Sequence, residues 1–334
     1  MTIRETCEQR ELETLKPWAA FAVNSRGRQS AEEPCSVRTC FQRDTDRIVH
    51  SKSFRRLMHK TQVFLHPEGD HYRTRMTHTW EVSRIARGIS RGAGLNEDLT
   101  EAISLGHDLG HTPFGHAGER ALNAVMPGGF RHNEQSLRVV SSIEKNGAGL
   151  NLTAEVCNGV LCHTGQQQPF TLEGRVVRFA DKIAYINHDI DDAVRAGILS
   201  EADIPGPISA VLGNRHSTRI NTLVLDMIEF SSNGEVGMSP RCLRAMTDLR
   251  DFLDDRVYKN PVAKDEEKKI GGLIAMLFDY YCTHTDMLPV EYRQFAEAWG
   301  RERAACDYIA GMTDKYALYK YNEIFVPKSW TLMD

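Results

Sequence analysis

From Cys40 onward, apolar residues recur at three- and four-residue spacing almost without a break, a pattern that predicts a chain built of amphipathic helices. Glycine and proline punctuate it near Pro67–Gly69, Gly92–Gly94, Pro127–Gly129 and Gly147–Gly149, where helices should end. One predicted helix sets His78 on the same face as Val82, Ile85 and Ile89, so the imidazole faces the interior. A later helix repeats Asp181, Tyr185 and Asp189 every four residues on one face and stops at Gly197. Pro205-Gly206-Pro207 reads as an inter-helix loop and Asn233-Gly234 as a further turn. Alternating Val, Ile or Thr runs are nearly absent; the best hairpin candidate is Lys60 to Arg73, around Pro67-Glu68-Gly69. The fold class is therefore mainly α, a helical bundle with peripheral helices and at most a short β-hairpin. Met1 to about Ser30 reads as a short amphipathic arm, followed by a linker at Glu32, Glu33 and Pro34. The predicted organisation is an N-terminal arm over 1–34 and a single helical domain over 35–334.

Composition narrows this picture. A chain of 334 residues with 41% hydrophobic content buries a sizeable core, and no break in composition divides it. No stretch approaches the ~18 consecutive apolar residues of a membrane span, and the start is too charged for a signal peptide, so a cytoplasmic protein is expected. The eight cysteines show no CxxC pairing and read as reduced thiols. Cys157, Cys162 and His163 fall on a helical apolar pattern and read as packing residues rather than zinc ligands. A net charge of -4 argues against whole-surface affinity for nucleic acid. Charge is uneven, however: between Arg26 and Arg91 there are fourteen Lys or Arg against seven Asp or Glu. Such a local excess of cations suits a polyphosphate.

The densest chemistry lies in LGHDLGHTPFGHAGE, Leu105 to Glu119, where His107, Asp108, His111, His116 and Glu119 fall within one or two helical turns of one another. Imidazole and carboxylate are the ligands of divalent metals, and a fold without a metal gains little by collecting three histidines there. His78 and Asp181 are candidates to complete the set. Two imidazoles and two carboxylates around one ion leave one or two positions for water or a phosphate oxygen, as a hydrolytic metal requires. Such a mixed set suits manganese, iron(II), magnesium, nickel or zinc, and intrinsic affinity does not choose among them. His116 and Glu119 are three residues apart on a predicted helix after Pro113-Phe114-Gly115, within reach of each other as an acid-base pair. His111, four residues after His107, is predicted one turn on along the same face. For Glu119 the plain alternative is a helix cap or a salt bridge to Arg120.

The arrangement of His78, His107-Asp108 and Asp181 resembles the metal signature of the HD-domain phosphohydrolases. FQRDTDRIVHSKSFRRLMHKTQVF from Phe41, RTRMTH from Arg73, HDLGHTPFGHAGE, HNEQS from His132 and DKIAYINHDIDDA from Asp181 narrow it to the deoxynucleoside triphosphate triphosphohydrolases, the dGTPase-like branch. The resemblance is strong over about 38–197, the expected metal-site core. Over the C-terminal helical lobe, about 200–334, it rests on helical character and the DYIAGMTDKYA run. It implies metal-dependent hydrolysis of a 2′-deoxynucleoside triphosphate at the α-phosphate, releasing deoxynucleoside and tripolyphosphate. It implies His78, His107, Asp108 and Asp181 as metal ligands, and His116 with Glu119 as the catalytic pair. Arg75, His111, His132 and Lys182 are implied as phosphate contacts. Gln62 and Asp189 are implied at the sugar 3′-hydroxyl, with Tyr185 against the deoxyribose, where a ring near C2′ excludes a ribonucleotide. A homo-oligomer, often a hexamer, is the usual state of the family, and some members respond to single-stranded DNA or deoxynucleotides. The competing readings are another HD-type hydrolase, such as a 5′-nucleotidase or a cyclic-nucleotide or guanosine-tetraphosphate hydrolase, and a binding protein for nucleotide or single-stranded DNA.

Overall fold

The computed structural model describes residues 1–62, 73–231, 234–258 and 261–328. Among them there is no strand; two isolated antiparallel bridges join Arg28 to Thr153 and Thr61 to Thr74. The expected hairpin between Lys60 and Arg73 has its tip outside the described residues, as does Asn233.

Sixteen α-helices are described, eight of them opened by a Ser, Thr or Asn side chain that accepts a hydrogen bond from the first turn. A capping box of Thr2 and Glu5 opens α1 (Ile3–Thr14). Thr39 and Gln42 do the same for α2 (Cys40–Val49), and Ser51 caps α3 (Lys52–Arg56). Thr74 opens α4 (Arg75–Ala93), which ends on the left-handed Gly94; Asn96 caps α5 (Glu97–Gly106). Next come α6 (Gly115–Val125), α7 (His132–Arg138), α8 (Ala154–Cys162) and α9 (Leu172–Arg195). The chain leaves α9 through Gly197 at φ +70°, at the predicted stop. Pro205-Gly206-Pro207 is not wholly a loop: α10 (Gly206–Leu212) begins within it, because a proline in the first turn has no N–H to leave unpaired. The rest are α11 (His216–Phe230), α12 (Pro240–Leu253), α13 (Pro261–Thr283), α14 (Val290–Trp299), α15 (Arg301–Ala310) and α16 (Asp314–Phe325).

These helices enclose two apolar cores. In the larger, α4 packs on α5 and α9, and α5 also meets α2 and α8, burying Ile48, Ile89, Leu99, Ile103, Val160 and Ile183. Each such side chain contributes about 1.5–3 kcal/mol of burial. The smaller joins α6 to α13, α15 and α16 through Phe114, Leu122, Ile274, Leu277, Ile309 and Ala317. The predicted arm lies against the larger core, with Ala19 and Ala22 buried there. The amide N–H of Ala20 donates to Glu173 at 3.0 Å, and Arg28 pairs with the fully buried Asp44. Between the two cores runs the segment from His107 to Gly115.

Candidate active site

Three helices deliver the candidate metal ligands. On α4 the buried stripe of Val82, Ile85 and Ile89 turns His78 inward. At the C-terminal end of α5, the Nδ1–H of His107 donates to the Ser104 carbonyl at 2.6 Å. That bond fixes the tautomer, so Nε2 carries its lone pair into the site, where it is buried with no hydrogen-bond partner. From α9 comes Asp181, whose Oδ1 lies 3.1 Å from His78 Nε2 and 3.9 Å from His107 Nε2. His107 Nε2 lies 3.7 Å from Asp108 Oδ2. Donor atoms of His78, His107 and Asp108 all fall within 4.8 Å of one another.

Electrostatics keep both carboxylates ionised. Burial pushes the Asp108 carboxyl up, but Arg75, whose Nη1 donates to Oδ2 at 2.6 Å, and the surrounding imidazoles outweigh it and hold it well below the usual carboxylate range. Burial is likewise overcome at Asp181, by the hydrogen bond from His78 and the neighbouring His107. Two anionic carboxylates, one imidazole lone pair without a partner and a second imidazole in the same cluster form a donor set that fits a divalent cation. Arg75 is itself buried, so the exposed salt bridge that is the default for an arginine does not describe it.

A second group adjoins the first. The segment after α5 is a turn rather than further helix, since α5 ends at Gly106; His111 therefore does not continue the face of His107 by helical periodicity. Gly110 allows this path: a β-carbon there would lie 2.1 Å from the backbone nitrogen of Ser136. Phe114 then adopts left-handed angles, φ 63° and ψ 27°, which cost a non-glycine residue about 1–2 kcal/mol, and α6 starts at Gly115. On its first turn His116 Nδ1 meets Glu119 Oε2 at 3.3 Å. The other oxygen, Oε1, accepts both the backbone N–H and the Nδ1–H of His132, each at 2.8 Å. Glu119 thus links His116 to His132 and also caps α7, while Arg120 pairs with Glu267. Burial opposes ionisation of Glu119, but hydrogen bonds from His116 and His132 hold its carboxyl far below the usual range. Burial also acts against charge on His132, yet Glu119 raises its pKa. The buried His111 stacks on His132, ring centres 4.9 Å apart, and burial followed by Arg75 drives its pKa well down.

His163, read from the sequence as a packing residue, stands at the junction of the two groups. Its Nδ1–H donates to the Val160 carbonyl at 2.7 Å, its ring centre is 5.0 Å from that of His107, and its Nε2 is 3.2 Å from His132 Nε2. Burial and the neighbouring His107 and His132 push its pKa down to about 3. The sequence signal was faint, a histidine one position beyond an apolar helix. Lys60 was missed as well: fully buried, its ammonium donates to the carbonyls of His111 and of Ala310, the latter at 2.8 Å.

The candidate substrate residues lie beside the start of α6 and along α9. Gln62 adjoins Gly115, its carbonyl 3.4 Å from where a β-carbon of Gly115 would stand, and its side-chain Oε1 is sheltered without a hydrogen-bond partner. Tyr185 and the buried Asp189 follow Asp181 along one face of α9, as the spacing predicted. Burial, reinforced by the Asp181 charge, pushes the Tyr185 hydroxyl up to about 12. Lys182 is half-buried with its ammonium 6.0 Å from the Phe179 ring centre; burial and Arg178 lower its pKa. None of the described helices is long and apolar enough to cross a membrane.

Residues 75–186 match the HD domain, and residues 236–323 match a phosphohydrolase-associated domain. A deoxyguanosinetriphosphate triphosphohydrolase-like protein of Caldanaerobacter subterraneus subsp. tengcongensis is 57% identical over 332 residues, covering 99% of this chain and 98% of the relative. One from Clostridium perfringens is 51% identical over 338 residues, covering 98% and 99%. A solved structure of a hypothetical protein from Aquifex aeolicus shares the fold, with a TM-score of 0.51 at 17% identity over 85% of this chain and 68% of that one. The chain belongs to the deoxyguanosinetriphosphate triphosphohydrolase-like family of HD-domain phosphohydrolases.

Proposed function

We propose that this protein hydrolyses 2′-deoxynucleoside triphosphates at the α-phosphorus, releasing a deoxynucleoside and intact tripolyphosphate. The observation that carries the reading is the placement of the His116–Glu119–His132 group beside the buried donors His78, His107 and Asp108 and the partly exposed Asp181. A divalent cation held by those four residues, whether manganese, magnesium, iron(II), nickel or zinc, would withdraw charge from the phosphate and lower the pKa of water. Arg75, His111, His132 and Lys182 bind the phosphate oxygens in this reading. Arg75 exchanges part of its pairing with Asp108 for substrate.

The leaving O5′ alkoxide is poor and needs a proton. His116 supplies it from Nε2, while Glu119 accepts from Nδ1 and keeps the ring oriented; such a donor contributes about 10²–10⁴-fold. Gln62 and Asp189 hold the sugar 3′-hydroxyl, the carboxylate accepting its proton and the amide N–H donating to its oxygen, and Tyr185 packs against C2′. A 2′-hydroxyl there meets the ring and loses its hydrogen bonds, which disfavours ribonucleotides. The reading extends to a cytoplasmic homo-oligomer, to be sized by light scattering with and without deoxynucleotides or single-stranded DNA.

The test incubates purified protein of defined metal content with the four deoxynucleoside triphosphates and their ribose counterparts, with manganese or magnesium, and resolves products by anion exchange. Deoxynucleoside plus tripolyphosphate is expected. Release of orthophosphate or nucleoside monophosphate moves the chain to another HD-type hydrolysis, and absence of turnover overturns the enzymatic reading.

A further inference from the structure

A buried carboxylate of the C-terminal lobe reaches the candidate site. Asp314, the first residue of α16, is buried, and no role falls to it in the proposed chemistry. Its Oδ1 accepts the backbone N–H of Phe114 at 2.9 Å, and its Oδ2 accepts the N–H of Thr61 at 3.0 Å together with the Thr61 hydroxyl. Those partners are 200 and 253 residues away along the chain.

Both positions govern candidate substrate or acid-base residues. Phe114 is the left-handed residue from which α6 starts, and its own side chain makes no capping bond. The dihedral angles at Phe114 set the direction of α6, and with it the location of His116 and Glu119. A residue in a sparsely populated conformation persists only where its surroundings hold it. Here they do so at two points: the ring is buried in the smaller core, and the N–H is bound by Asp314. Thr61 immediately precedes Gln62, and the Thr61 and Gln62 carbonyls lie against Gly115. Lys60 completes the arrangement by bridging the carbonyls of His111 and Ala310. Residues 60–62 are thereby held between the segment bearing the proposed acid and residues 310–314 of the C-terminal lobe.

We infer that Asp314 is a positioning residue: by holding Phe114 in its left-handed conformation and Thr61 beside it, it keeps His116 and Gln62 in working register. This gives the phosphohydrolase-associated segment a direct part in the active site. The inference rests on the reading of His116 as the acid. It requires a carboxylate, because all three contacts are donors to Asp314; an asparagine would turn an NH2 group toward one of them.

The experiment compares Asp314→Asn with wild type in kcat, KM and metal content, then repeats the substitution in a His116→Ala background, with amide hydrogen exchange followed at Phe114 and Thr61. The expected loss is on the order of 10²-fold in kcat with full metal content, as for a catalytic group displaced by about an ångström. In the His116→Ala background the same substitution should cost little more, since the group it positions is gone. Exchange at Phe114 should quicken. A variant with a lower melting temperature but unchanged kcat overturns the inference, as does a kcat loss that is fully additive with His116→Ala. If Asp314→Asn does not fold, Thr61→Val removes one donor and should show the same pattern at smaller amplitude; unchanged kcat there overturns it. If wild type turns over no deoxynucleotide, the functional reading fails separately. Exchange then decides: acceleration at Phe114 supports the clasp, and exchange equal to wild type overturns it.

Discussion

The candidate metal-ligand cluster and the proposed acid-base group are neighbours held by opposite means. His78, His107 and Asp108 are at most 3% exposed and come from α4 and from the end of α5 with the turn that follows it, each locked by a bond to a residue of the larger core or the site. The side chain of His116 is 69% exposed, rides on the first turn of α6, and depends on a left-handed residue that the smaller core and the C-terminal lobe restrain. A metal site gains from burial, which strengthens its Coulomb interactions and excludes competing water. A proton donor gains from contact with solvent, from which it must be reprotonated after each turnover.

The sharpest way to break this contrast is Asp181→Ala. It should remove the bound metal, read by elemental analysis, and lower kcat by on the order of 10³-fold or more, several kcal/mol of charge stabilisation. His116→Ala comes next, with kcat down about 10²–10⁴-fold and metal content unchanged. Loss of metal from that variant would show that the two regions are not separable. Tyr185→Ala should leave metal in place and reduce discrimination against ribonucleotides by on the order of 10²-fold, measured as the ratio of kcat/KM values.

The smallest effect concerns the clasp that supports the exposed group. Burial, aided by Arg56 and Arg75 and opposed by Asp314 and Asp108, pushes the Lys60 ammonium down to about 7. The unfolded chain keeps that proton up to about 10.4, so between the two values it binds more protons than the folded chain. Stability should therefore rise with pH above about 7. In melting experiments between pH 7 and 9, wild type should gain up to a few degrees relative to Lys60→Met. A constant difference across that range would break the prediction.

How much of this was legible beforehand varied with distance along the chain. The helical class, the stripe below His78, the face shared by Asp181, Tyr185 and Asp189, and the stop at Gly197 are local consequences of period and punctuation, and the structure has them. The spacing of His116 and Glu119 likewise indicated a local pair, which the structure contains. Local reasoning did not reach the sharing of Glu119 with His132, the burial of Arg75 against Asp108, or His163 beside His107. It also erred where a turn replaced expected helix between His107 and His111, because the periodic pattern does not record that Gly110 must pass within van der Waals contact of Ser136.

By itself, the sequence determined the helical alphabet of this protein and the stock of imidazoles and carboxylates, since both follow from interactions among residues three or four apart. Only the tertiary structure decided which of those groups share a proton, which lose their water and which hold a neighbour in place. Asp314 illustrates the reason: a carboxylate on the first turn of a late helix becomes part of the site only when two packed cores bring it to amides 200 and 253 residues away.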